Sequence, residues 1–245
     1  MAKLSKEEAV LLASLQQVRQ RQAAKNRENL AYYLGKQQIN FLGLRLREEW
    51  IQQAFPLTWC RTLVNVVVER QQVRRLLRRG NFTEDESLRA MWDKSDMDAQ
   101  LTRFNRDLAM YGRSYLSVAA HPETGDPRMI VEPVRAMTLL HNELGETLAA
   151  QRVYYDADNL ETRSALYLPN ETILLRGAGA GAEEIDRITH DLGRVPVVMA
   201  VMGDVAGTFD GEPVFEPVKR LADMSAEALL NSRVALETAA APQKV

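Results

Sequence analysis

Three glycines come closest to a chemical motif. Gly177-Ala178-Gly179-Ala180-Gly181-Ala182 follows a short apolar run, Thr172–Leu175, and loosely fits G-x-G-x-x-A. In a dinucleotide fold such glycines let backbone amides approach a pyrophosphate at a helix N-terminus. Here Glu183 and Glu184 place two negative charges where phosphates belong, and the runs before the loop have an antiparallel texture. A surface loop is the preferred reading. Asp204 and Asp210 flank a glycine-rich turn, but two carboxylates off EF-hand spacing are too few for a hard cation, so they read as acidic turn residues. Cys60, the single cysteine, sits beside Trp59 on an apolar helical stretch and reads as a small buried hydrophobe. His190-Asp191 has no recognisable serine or cysteine partner, and G-x-S-x-G, P-loop and H-E-x-x-H patterns are absent. The expectation is therefore no catalytic residue, no cofactor and no metal.

A basic run carries more. Arg70, Arg74, Arg75, Arg78 and Arg79 fall within ten residues, and on a helix Arg70–Arg74, Arg74–Arg78 and Arg75–Arg79 are i,i+4 pairs. Five guanidiniums suit phosphates, with release of counterions, or the carboxylates of a neighbouring subunit. A solvated face is the plainer alternative. Few aromatics interleave, which disfavours a base-stacking platform. These five arginines are the candidate subunit-interface or DNA-contact residues.

The elements around them follow from periodicity. Ser5-Lys6-Glu7-Glu8 is a capping box that opens a helix bearing Leu11, Leu15 and Val18. A second helix is predicted over Thr58–Arg70, with Trp59, Leu63 and Val67 on one face. Thr83-Glu84-Asp85-Glu86 reads as another capping box, ahead of Leu88, Met91 and Trp92. Met97, Leu101, Phe104, Leu108 and Tyr111 step at helical spacing and Gly112 ends the run.

From Ser114 short β-branched and aromatic runs alternate with turn signals: Tyr115–Ala120, Arg128–Val134, Met137–His141, Thr147–Tyr155, Arg163–Leu168 and Thr172–Leu175. Such short connections predict an antiparallel meander. A short helical stretch near Glu183–His190, a buried strand over Val195–Val201 and a long helix over Pro213–Ala240 complete the reading. Val218, Leu221, Ala222, Leu229 and Leu230 form the last helix's apolar side. The fold class is α+β, with N-terminal helices, a central antiparallel β-meander and a long C-terminal helix. The expected parts are 1–112, mainly helical; 113–212, β-rich; and 213–245, the long helix.

With 245 residues, 46% hydrophobic and 26% charged, the chain has the composition of a soluble globular protein with a sizeable core. No apolar run reaches the roughly 20 residues of a membrane span. The charged start lacks a signal-peptide core. The net charge of -2 hides an asymmetry: residues 1–80 hold 15 basic and 6 acidic side chains, net +9, and the other 165 hold 16 and 27, net -11. Such segregation implies an anionic partner for the front, or head-to-tail contact between copies.

Taken in order, the residues resemble the portal protein of tailed bacteriophages, in the form found in long-tailed phages of Gram-positive and actinobacterial hosts. Tyr32-Tyr33-Leu34-Gly35-Lys36, with Leu42-Gly43 downstream, is similar to the family's Tyr-Tyr-x-Gly segment. Trp59-Cys60-Arg61, Val64 to Val68 and Glu69-Arg70 resemble its W-C-R…V-V-D…E-R helix. Met91-Trp92-Asp93 precedes Tyr111-Gly112-Arg113-Ser114-Tyr115, which matches its Y-G-R-S-Y/F signature. Tyr167-Leu168-Pro169-Asn170, His190 to Val198 and Glu237 to Gln243 continue the order, Gln243-Lys244 standing where the family has Gln-Arg and Gly211-Glu212-Pro213-Val214 where it has G-x-S-E.

The resemblance implies a structural virion protein without catalysis. It would belong to the ring-shaped, usually dodecameric head–tail connector at one capsid vertex, through which double-stranded DNA is packaged and ejected. Terminase, capsid and head-completion proteins are the implied partners, assembly in the host cytoplasm and residence in the virion the implied location, and no membrane is involved. The part matched would be the wing, residues 1–212, with the final helix leading towards the stem; family members continue into clip and crown. A free-standing nucleic-acid-binding protein using the basic front is the alternative.

Overall fold

The computed structural model describes residues 4–37, 57–78, 80–121, 123–203 and 209–240. Leu42-Gly43, Arg79, Asp204 and the Pro242-Gln243 segment lie outside them.

Helix α1 spans Lys6–Leu34. The capping box is formed in both directions: Glu8 N–H donates to Ser5 Oγ at 3.2 Å, and Ser5 N–H donates to Glu8 Oε2 at 2.7 Å. Gly35 ends the helix in the left-handed region at φ 65°. Helix α2 covers Trp59–Glu69, but its buried row is Cys60, Val64 and Val68, and Trp59 remains 45% exposed. Both rows are apolar at i, i+4, i+8, so spacing alone leaves the rotation of the helix open; packing against α1 and against the helix over Met97–Tyr111 fixes it one residue on from the expected face.

Helix α3 spans Glu86–Lys94 and helix α4 spans Met97–Tyr111. Asp85, rather than Thr83, caps α3: its Oδ1 accepts from the backbone N–H of Ser87 at 3.0 Å and of Leu88 at 3.1 Å. A carboxylate beside the first turn outranks a threonine two residues further away.

Among the described residues eight strands follow, β1 Arg113–Ala120, β2 Pro127–Glu132, β3 Met137–His141, β4 Thr147–Asp156, β5 Glu161–Tyr167, β6 Glu171–Arg176, β7 Glu183–Thr189 and β8 Val197–Val201. They form two antiparallel sheets. One has the order β2-β1-β8; the other is a five-stranded meander, β3-β4-β5-β6-β7. The class is α+β, as the sequence predicts, but the Glu183–His190 stretch is a strand and not a helix. Ile185 and Ile188 imitate helical spacing, while the backbone pairs along β6 from Arg176↔Glu183 to Glu171↔Thr189. The register shifts between Leu174 and Leu175. Arg187 fixes this edge strand by holding Glu8, Glu171 and Glu184 within 3.0 Å.

Two apolar cores result. Leu12 and Leu15 of α1 pack on Ala149, Leu166, Ile173 and Leu175 of the meander. The larger core joins Cys60, Val64 and Val68 of α2, Ala109 to Tyr111 of α4, and Tyr115 and Val197 of the small sheet. The C-terminal half of α1 reaches it through Leu30, Tyr32 and Tyr33. Ser117 Oγ donates to Glu132 Oε1 at 2.7 Å and Arg152 Nε lies 3.1 Å from Glu132 Oε2, so one buried carboxylate bridges the two sheets.

Helix α5 spans Glu216–Ala240. At 1.5 Å per residue it is about 37 Å long. Ala222, Ala226 and Leu230 are its buried side, with Phe215 buried just ahead of it, whereas Leu221 and Leu229, expected there, face outwards. Polar contacts to α1 hold its base: Tyr32 Oη donates to Asp223 Oδ2 at 2.6 Å, and Lys219 Nζ lies 2.9 Å from Glu28 and 2.8 Å from Glu216.

Candidate functional site

The basic run leaves the helix at its start. Arg70 is the C-cap of α2, and residues 71–78 have no regular secondary structure, so the helical pairs Arg70–Arg74 and Arg74–Arg78 do not form. Three backbone bonds pin the segment, from Gln71 N–H to the Val68 carbonyl at 3.1 Å, from Asp85 N–H to the Leu76 carbonyl at 2.9 Å and from Asn81 N–H to the Arg78 carbonyl at 3.0 Å. Arg78 is exposed but paired: its Nε lies 2.8 Å from Asp85 Oδ2, and its Nη2 donates to Ser87 Oγ at 3.2 Å. Asp85 thus serves two positive partners, the first turn of α3 and Arg78, and the Ser87 hydroxyl with Arg78's charge holds its carboxyl below the usual range.

Arg70, Arg74 and Arg75 are exposed and take part in no ion pair among the described residues. A groove of about 660 Å³ between α2 and α4 opens beside the same segment, with walls that include Tyr33, Arg61, Glu69, Val73 and Arg106 but none of these three arginines. Arg61 lies over the Tyr33 ring at 5.9 Å. Chemically this surface offers three free guanidiniums to oxyanions and apolar side chains, Val73 and Leu77, to a covering surface.

The glycine loop is the β6–β7 connection. Gly177, at φ 91°, turns the chain, and the strand that follows removes the helix N-terminus a pyrophosphate needs. Its carbonyls are already engaged: Ser164 Oγ donates to Gly177 O at 2.6 Å and Gln151 Nε2 to Ala178 O at 3.1 Å. Asp210 is consumed within the fold, accepting from Gln22 Nε2 at 2.8 Å with Arg21 at 3.9 Å. Among the described residues no three His, Cys, Asp or Glu side chains converge to hold a metal ion. Cys60 is fully buried and burial pushes its thiol up, away from nucleophilic use. His190 belongs to a turn tied by its N–H to the Asn170 carbonyl.

Spacing arguments passed over Arg113, the centre of the Tyr111–Tyr115 signature. It is 1% exposed and spends its whole fork inside the protein. Nε donates to Tyr115 Oη at 3.1 Å, Nη1 to the Asp210 carbonyl at 3.0 Å and Nη2 to Asn26 Oδ1 at 2.7 Å. Beside it Gly112, at φ 77°, and Gly211, at φ 64°, cross so closely that a Cβ on either meets the other's backbone. The signature is a clasp joining α1, β1 and the segment that launches α5.

Helices, two sheets and buried polar clasps thus form a scaffold that leaves cationic and apolar surfaces exposed. The chain belongs to the phage portal protein family of the SPP1 Gp6-like type, whose family model matches residues 12–229. It is similar to the portal protein of Mycobacterium phage L5, with 28% identity over 232 residues, 89% of this chain and 47% of that protein. The chain spans about half the length of this curated relative. Nothing in these likenesses favours the nucleic-acid-binding alternative. Among the described residues no helix is long and apolar enough to cross a membrane.

Proposed function

We propose that the chain is a structural, non-catalytic part of the portal ring at a phage capsid vertex, and that residues 1–212 form the wing and 213–245 the helix leading towards the stem. The family match over residues 12–229 carries this reading. In the virion the ring, of about twelve copies, surrounds passing double-stranded DNA and meets terminase, capsid and head-completion proteins. Ring closure is heterologous, bringing a different patch of each copy together, and the +9 front and -11 remainder are complementary in that sense. Arg70, Arg74 and Arg75 are the interface residues proposed, with Arg79 on sequence grounds; Arg78 is spent on Asp85.

Light scattering coupled to size exclusion, with negative-stain images of the main peak, tests the reading. A closed ring of 27.7 kDa subunits is the expected result. A monomer at all concentrations and salt strengths refutes ring closure by this chain alone.

A further inference from the structure

Three arginines away from the basic run face one small cleft. Arg19 and Arg27 lie eight residues apart on α1, with Ala23 and Asn26 between them on the same face, and Arg135 approaches from the turn joining β2 to β3. The cleft has a volume of about 120 Å³. That is room enough for a carboxylate or a phosphate group. Val134 and Met137 supply its apolar wall.

Four arginines of the strands show the pairing that these three lack. Arg152, Arg163, Arg176 and Arg187 each hold at least one carboxylate within 3.1 Å. Arg19, Arg27 and Arg135 have no carboxylate within ion-pair distance among the described residues. Arg19 Nη1 is shielded from solvent and has no hydrogen-bond partner there. Burial of that unpaired guanidinium also pulls its pKa below the usual arginine range. Asp107 exerts its field on Arg135 but accepts from the Val134 N–H and stays outside ion-pair distance. An unpaired, partly desolvated cation is costly, and an oxyanion relieves the cost while filling the guanidinium fork. The wall is pre-set, since Arg113 Nη2 fixes Asn26 at 2.7 Å and Thr138 is buried in place.

We propose that this cleft is an oxyanion-binding site, taking one carboxylate or phosphate group between the guanidiniums of Arg19, Arg27 and Arg135. The site is independent of ring closure. Its test is thermal unfolding of the full chain at pH 7.5, with inorganic phosphate or acetate replacing chloride at constant ionic strength. At about ten times its Kd, the bound anion raises Tm by about 4 °C. R19Q and R135Q each lose that rise, whereas R220Q, on the exposed side of α5, keeps it. A rise with acetate alone identifies a carboxylate as the ligand, and one with phosphate alone identifies a phosphate group. Arg135 is exposed, so R135Q folds even where the half-buried Arg19 position tolerates no change. A rise that survives in R135Q, or no rise with either anion, overturns the proposal.

Discussion

At the scale of single residues, the polar groups that matter most are the buried ones. Replacing Arg113 with Met keeps bulk but leaves Asn26 Oδ1, the Asp210 carbonyl and Tyr115 Oη without their donor. Stranding buried acceptors costs more than the net worth of the bonds removed, so Arg113→Met is expected to destabilise by about 3 kcal/mol in urea denaturation. Arg113→Lys, with a point charge in place of a fork, falls between it and the wild type. Asp107 works in the opposite direction. Burial raises its pKa from 3.8 to about 6, against the pull of the Val134 N–H and of Arg106 and Arg135. Its folded form therefore binds a proton more readily than its unfolded form, so its contribution is fully present below about pH 4 and is lost as pH rises through 6. Asp107→Asn keeps an acceptor for Val134 N–H and removes the charge; it is expected to gain about 2 kcal/mol at pH 7.5 and almost nothing at pH 4. Unfolding curves at the two pH values measure the difference.

At the scale of elements, what was legible in the sequence was what local chemistry decides. The capping box at Ser5, the stop at Gly112 and the strand from Met137 to His141 lie where sequence places them, because each depends on a side chain and its near neighbours. The misread elements depend on partners far along the chain. β7 is a strand because β6 and Arg187 capture it, and the faces of α2 and α5 are set by the surfaces they meet. The arginine run failed as a helix for a related reason, since Asp85 and the Leu76 carbonyl draw it out alongside α3. Helix α1 offers a direct check of rotation. Leu12 is fully buried against the meander and Val10 is 65% exposed. Leu12→Ala is expected to cost about 3 kcal/mol and Val10→Ala less than about 0.5, as read by equilibrium denaturation.

At the scale of the whole molecule, α1 makes one body of the helical and β-rich parts, because it packs in both cores. The opposite net charges of residues 1–80 and of the remainder favour association by a mechanism that salt weakens. Helix α5 adds a surface that salt does not weaken: Leu221, Met224, Ala228 and Leu229 lie exposed on its side away from the core, with Leu221 at 54% and Met224 at 57%. The two contributions separate by experiment. Arg70→Glu with Arg74→Glu is expected to weaken self-association at least tenfold at low salt, with the loss shrinking as salt rises. Leu221→Gln with Met224→Gln is expected to weaken it equally at all salt strengths and to leave unfolding of the monomer unchanged, since exposed side chains contribute little to it. Sedimentation equilibrium at two ionic strengths reads both. If neither pair changes association, subunits meet through other surfaces, and the charge asymmetry serves the DNA or the other partners of the ring.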